Sequence, residues 1–120
     1  MEAVLASKSS LAAFITKIHS FPDDDYLTSL YAPNIKATVN DETYDMDAIK
    51  ALIQTLGTHP KMTIDVLDLL REGRNFAWRH VGESSLPDGK TKKVHVFAFG
   101  ELDADGRVVR QEERVVVSMA

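Results

Sequence analysis

The sequence predicts an α+β fold, helices leading and a twisted antiparallel sheet following, and three patterns carry that reading. Apolar residues recur at three- and four-residue intervals as far as Leu56. After Pro60 the period drops to two, and turn residues at Glu72-Gly73 and Asp103 to Gly106 then join long alternating runs into hairpins.

Leu11, Phe14, Ile15 and Ile18 stand at i, i+3, i+4 and i+7, which makes one stripe of a helix from Ser7 to His19 apolar. Ser7, Ser9 and Ser10 offer N-caps, and Phe21-Pro22 ends the helix. Pro22 and the run Asp23, Asp24, Asp25 suit the start of a second short helix, because proline fits a first turn and carboxylates oppose the positive end of the dipole. That helix carries Tyr26, Leu27, Leu30 and Tyr31 and must stop before Pro33; a short strand follows from Asn34 to Val39. Asp45 caps a third helix on Ile49, Leu52, Ile53 and Leu56, closed by Gly57 and Pro60. Met62, Ile64, Val66 and Leu70 then alternate with Thr63, Asp65, Leu67 and Leu69, and Phe76, Trp78 and His80 with Ala77, Arg79 and Val81, giving a first long hairpin. A loop from Ser84 to Lys90 leads into a strand from Lys92 to Leu102, which pairs through the second turn with Val108 to Ser118. Gly100 inside that pattern marks a bulge or bend, and a bent sheet makes a concave pocket.

The chain has 120 residues, enough for one domain, 1–120, with its own core. Without cysteine it has no disulfide, no thiolate metal site and no cysteine nucleophile. The net charge of −4 works against a phosphate backbone, so no nucleic acid is expected, and Lys90, Lys92 and Lys93 read as a solvated strand start. No apolar run is long enough to cross a bilayer, and Met1 to Phe14 lacks a basic-then-apolar leader, so the expected location is the cytoplasm. The four histidines form no HxxxH or HxH pair, so no metal is expected; neither a phosphate loop nor a GxSxG is present. His19 is accounted for by the helix dipole, and His59 by solvent.

Candidate chemistry lies where the alternation breaks. Asp68 is the one acid in register with Met62, Ile64, Val66 and Leu70, and hairpin parity puts Glu113 on the face of Val94, Val96, Ala98 and Leu102. Two readings stand: an internal ion pair with an arginine such as Arg79, or a general acid and base raised by an apolar pocket. His80 shares its face with Phe76 and Trp78, where a neutral imidazole can abstract or relay a proton. With a two-residue turn at Glu72-Gly73 its opposite residue is Asp65; with three, Asp68 lies diagonal. The same parity puts His95, Phe97 and Phe99 on the reverse face with Arg110, Glu112 and Arg114.

Several segments in order resemble the nuclear-transport-factor-2-like (NTF2-like) superfamily and its SnoaL-like group of polyketide cyclases and isomerases. They are Asp25-Tyr26-Leu27 through Leu30-Tyr31-Ala32-Pro33, Arg71-Glu72-Gly73-Arg74-Asn75-Phe76-Ala77-Trp78-Arg79, and Val96-Phe97-Ala98-Phe99 leading to Asp105-Gly106-Arg107-Val108-Val109. Arg110-Gln111-Glu112-Glu113-Arg114 resembles the acid-bearing last strand of fungal secondary-metabolism members, and Gly82-Glu83-Ser84 stands where bacterial cyclases carry Gly-Thr-His. The resemblance implies a cone of three N-terminal helices on a curved sheet, an apolar cavity, no cofactor, and a homodimer through the outer sheet face. The resulting expectation is an isomerase, cyclase or dehydratase acting on a small apolar oxygenated ring compound. His80 serves as base or relay, Asp68 and Glu113 as acid and base, and Trp78, Tyr31, Phe14, Met62 and His95 hold substrate. The other class this fold serves is a non-catalytic ligand-binding or dimerisation module, with polar pocket groups locked in ion pairs.

Overall fold

The computed structural model describes residues 1–20, 22–56 and 62–119. The roles given to Phe21, Gly57, His59 and Pro60 lie outside those residues.

A single 3-10 turn, Val4–Ala6, precedes helix α1, Lys8–Ile18, and drives Leu5 and the side chain of Met1 into the core. Ser7 caps α1 by accepting from the Ser10 amide, while the Ser10 hydroxyl accepts from the Ser7 amide, a reciprocal box built from two serines. Asp23 caps α2, Asp24–Leu30, and Asp24 and Asp25 occupy its first turn, so the acidic run is helix chemistry. Strand β1, Tyr31–Val39, leads through Asn40 and Asp41, both at positive φ, into the short β2, Glu42–Tyr44. Helix α3, Met46–Leu56, follows, then β3 (Thr63–Glu72), β4 (Asn75–Ser85), β5 (Thr91–Leu102) and β6 (Val108–Met119). Helices and sheet segregate as an α+β layer should, but β1 and β2 separate the second helix from the third.

The six strands form one sheet in the order β2-β1-β6-β5-β4-β3. The sheet is not wholly antiparallel, because β1 lies parallel to β6. Strand direction leaves no trace in an alternation pattern, which is why the sequence did not disclose it. β1 also begins three residues earlier than expected; Pro33, which has no amide to donate, sits inside the break in register between Tyr31 and Lys36. The core lies between the helices and the inner sheet face: Leu11 and Ile15, Leu27 and Leu30, Ile49 and Ile53 pack on Val66, Phe76, Trp78, Ala98, Leu102 and Val108.

The first hairpin turns on Gly73-Arg74, with Glu72 opposite Asn75, and Gly73 takes the positive φ the turn needs. A bulge at Leu67 then shifts the register by one, so His80 faces Val66 rather than Asp65 or Asp68. Everything on β3 beyond the bulge changes face: Leu69 joins the core, while Asp68 and Leu70 point outward. The second hairpin pairs Ala98 with Glu113 and Val96 with Val115, with a register shift at Glu101/Leu102. At Gly100, just before that shift, a Cβ would run into the Arg110 carbonyl oxygen and the Phe76 ring. Backbone cannot yield there as a flexible side chain could. Gly100→Ala is expected to lower unfolding free energy by about 1–3 kcal/mol, measured by urea denaturation, and an unchanged midpoint would show that the sheet bends freely at this point.

Candidate active site

The inner face of a strand presents every second residue, and two such pairs face one another across the sheet. On β4 these are Trp78 and His80, and on β6 Gln111 and Glu113. Between them runs β5, with the small Ala98 directly between Trp78 and Glu113 in the ladder. Two strand spacings separate the pairs by roughly 10 Å, and α1, α3 and β1 close the space above. The result is a cavity of about 310 Å³ lined mainly by apolar side chains, Phe14, Ile15, Ile18, Leu52 and Val96 among them, with Tyr31, Trp78, His19, Asn40, His80, Gln111 and Glu113 bringing polar atoms to it. A second space of about 80 Å³ continues it beneath α3, sharing Tyr31, Gln111 and Glu113.

The Trp78 indole N–H donates to Nδ1 of His80 at 2.9 Å. Indole nitrogen is a donor only, so Nδ1 must carry the lone pair and the proton of the neutral ring sits on Nε2. Burial is the larger cause that pushes the His80 pKa down to about 4, and the nearby His19 adds to it. His80 is therefore neutral at physiological pH and has no unshared lone pair to use as a base; the expected base or relay is a hydrogen-bond donor. Trp78→Phe removes the N–H that opposes a proton on Nδ1, so His80 should titrate above pH 4 in that variant when followed by imidazole proton NMR. An unchanged titration would detach the tautomer from Trp78.

Glu113 is partly exposed to the cavity but otherwise enclosed by protein, and that desolvation raises its carboxyl above the ordinary 4.5, against a smaller lowering effect from Gln111. The Gln111 amide donates to the Glu113 carboxylate at 2.7 Å, leaving Gln111 Oε1 buried with no partner among the described residues. Buried acceptors without a donor are uncommon in folded proteins, and one inside a cavity suits a hydroxyl or amide brought by a ligand. The Tyr31 phenol is held above its usual range by burial first and Glu113 second, so it stays a neutral donor.

The remaining expected site residues lie elsewhere. Asp68 is on the outer face, largely exposed and paired with Arg79 at 2.9 Å, because the Leu67 bulge turned it out. His95 is half-buried on that same outer face, between Val81 and Val116. Met62 packs against Gly82, where a Cβ would come within 2.9 Å of its sulfur, and does not line the cavity. Phe14, Tyr31, Trp78, His80 and Glu113 share the cavity. Gln111 and His19 are two of its unanticipated polar members. The first follows from the alternation that places Glu113, two residues on; the second stands four residues beyond Ile15, on the apolar stripe of α1. Among the described residues no cluster of three histidine, aspartate or glutamate side chains could hold a metal ion. Nor, among those residues, is any helix long and apolar enough to cross a membrane.

No protein-family model matches the sequence, and no curated protein matches it either. Solved structures do match. IdmH of Streptomyces antibioticus, a candidate polyketide cyclase, superposes with a TM-score of 0.71 over 91% of each chain at 19% identity. SalBIII, an epoxide hydrolase/cyclase-like enzyme with a role in pyran ring formation in the polyether salinomycin, gives 0.65 over 90% of this chain and 87% of its own at 17% identity. An NTF2-like protein of unknown function from Exiguobacterium sp. 255-15 gives 0.65 over 84% and 93% at 17% identity. The fold is NTF2-like.

Proposed function

We propose that this chain is a cofactor-independent acid/base enzyme, an isomerase, cyclase or dehydratase, acting on a small apolar oxygenated ring compound. The observation that carries the reading is a carboxyl raised above its ordinary range inside an apolar cavity that also receives a fixed imidazole N–H. A substrate carbonyl would accept from His80 Nε2–H, the negative charge it gains on enolisation being held by a neutral donor in a medium of low dielectric. Glu113, kept protonated further up the pH scale than a surface carboxyl, supplies a proton to the oxygen or carbon that receives one. The apolar wall selects a flat or ring-shaped body, and Gln111 Oε1 accepts from one of its hydroxyls. The fold shared with IdmH and SalBIII supports a cyclase-type role. Screening small cyclic ketones and hydroxyketones for turnover tests it, with His80→Phe and Glu113→Gln as controls; turnover equal in wild type and both variants would remove these residues from the chemistry, and none above buffer would leave a non-catalytic binding module.

The assembly in this reading is a homodimer through the outer sheet face. Leu70, Phe97, Phe99 and Val116 stand exposed there, and the flanking charges, Asp68 with Arg79 and Glu112 with Arg110, carry both signs, as a self-complementary twofold contact requires. Sedimentation should give twice the 13.3 kDa chain mass, falling to monomer in the Phe97→Glu, Phe99→Glu double variant. A wild-type monomer at tens of micromolar would contradict it.

A further inference from the structure

The cavity holds a second imidazole whose proton sits the other way round. His19 follows the last residue of α1 and lines the same space as His80 and Glu113. Its Nδ1 lies 2.8 Å from the carbonyl oxygen of Ile15. A carbonyl only accepts, so Nδ1 of His19 must donate, and in the neutral ring Nε2 keeps its lone pair. Among the described residues nothing bonds to that nitrogen. In His80 the arrangement is reversed: the indole of Trp78 occupies the lone pair of Nδ1, and Nε2 carries the proton. Two histidines in one apolar cavity are thus fixed by their neighbours in opposite tautomers, one offering a lone pair and the other an N–H. Both rings line the one cavity.

We infer that His19 is the general base of this site, its Nε2 removing a proton from a carbon whose adjacent carbonyl oxygen is held by His80 Nε2–H. The inference rests on the acid/base reading above and supplies the group it lacked, since His80 cannot serve as the base and Glu113 is held toward its protonated form. In the step, the C–H electron pair becomes the enolate double bond, the carbonyl π pair moves to oxygen against His80, and the proton goes to His19 Nε2. In an isomerisation the imidazolium returns that proton to a second carbon, so nothing is consumed and no cofactor or oxidant is needed. In a ring closure the enolate carbon attacks a second carbonyl, whose oxygen takes the Glu113 proton. The substrate class is correspondingly narrowed to ring compounds with an acidic C–H next to a carbonyl.

5-Nitrobenzisoxazole reads base strength in a cavity without knowledge of the natural substrate. A base takes its one acidic C–H proton, the C–H pair forms a nitrile, and the N–O bond breaks to release a coloured phenolate. Wild-type protein should accelerate this over buffer. His19→Ala should lose roughly a hundredfold, partly restored by added imidazole, whereas Glu113→Gln should lose less than tenfold, because the leaving phenolate needs no proton. Full activity in His19→Ala with loss in Glu113→Gln would overturn the assignment of His19 while leaving an acid/base enzyme. No acceleration by wild type at all would overturn both. Nitrogen-15 NMR of wild type above pH 8 guards against a misfolded variant: His19 Nε2 should appear as the unprotonated nitrogen and His80 Nε2 as the protonated one, and the same tautomer in both rings would refute the inference directly.

Discussion

Glu113→Gln is expected to cut turnover of a ring-closing substrate, whose new hydroxyl takes the Glu113 proton, by a hundredfold or more and, in the same protein, to raise the melting temperature at pH 8. Both signs come from one cause. Burial favours the neutral carboxyl, so the folded chain holds a proton that the unfolded chain has already released above about pH 4.5. The stability this group contributes is present below the unfolded value and is lost as pH rises through the folded one. Glutamine keeps the shape and can still accept from the Gln111 amide, but it cannot ionise, so it escapes that loss. A carboxylate retained only for structure, with Gln111 as its partner, would behave oppositely: the amide would cost stability and leave turnover alone. Calorimetry at pH 5 and pH 8 beside one activity assay separates the two.

Acidification should weaken the fold through His80. With its pKa lowered from 6.5 to about 4, the ring stays neutral in the folded state while the unfolded chain takes up a proton between those values. Stability from this group is therefore complete above pH 6.5 and drains away as pH falls toward 4. At about 1.4 kcal/mol for each tenfold, the loss is on the order of 3 kcal/mol. His80 is only 7% exposed, so solvent screens little of it. Urea denaturation at pH 7.5 and pH 4 should show wild type losing more stability than His80→Phe by that amount. Equal losses would mean that the imidazole is solvated.

Legibility in the sequence followed the range of the physics involved. Capping and helical periodicity are local, and Ser7, Asp23 and Asp45 each took the cap position their neighbours dictated. Parity about the Asp103–Gly106 turn put Glu113 on the face of Ala98, and His95, Phe97 and Phe99 on the reverse face with Arg110, Glu112 and Arg114; the ladder keeps those faces, with the exact partners set by the register shift at Glu101/Leu102. A single extra residue defeats that argument. Leu67 is apolar, like its neighbours, and nothing about it announces a bulge; yet it carries Asp68 from the pocket to solvent and sets His80 against Val66. Tautomers were equally out of reach, because which nitrogen of His19 or His80 holds the proton depends on a carbonyl or an indole that only the folded chain brings near. The parallel pairing of β1 with β6, between segments some 75 residues apart as in Asn40 and Val115, is likewise a long-range fact.

The apolar enclosure of Glu113 holds its carboxyl above the ordinary range, toward the form that can give up a proton where one is needed. Carbon-13 NMR of its side-chain carboxyl across pH 3 to 9 measures this directly. The midpoint should lie clearly above the ordinary glutamate value of 4.5; a midpoint at or below that value would contradict the role given to Glu113.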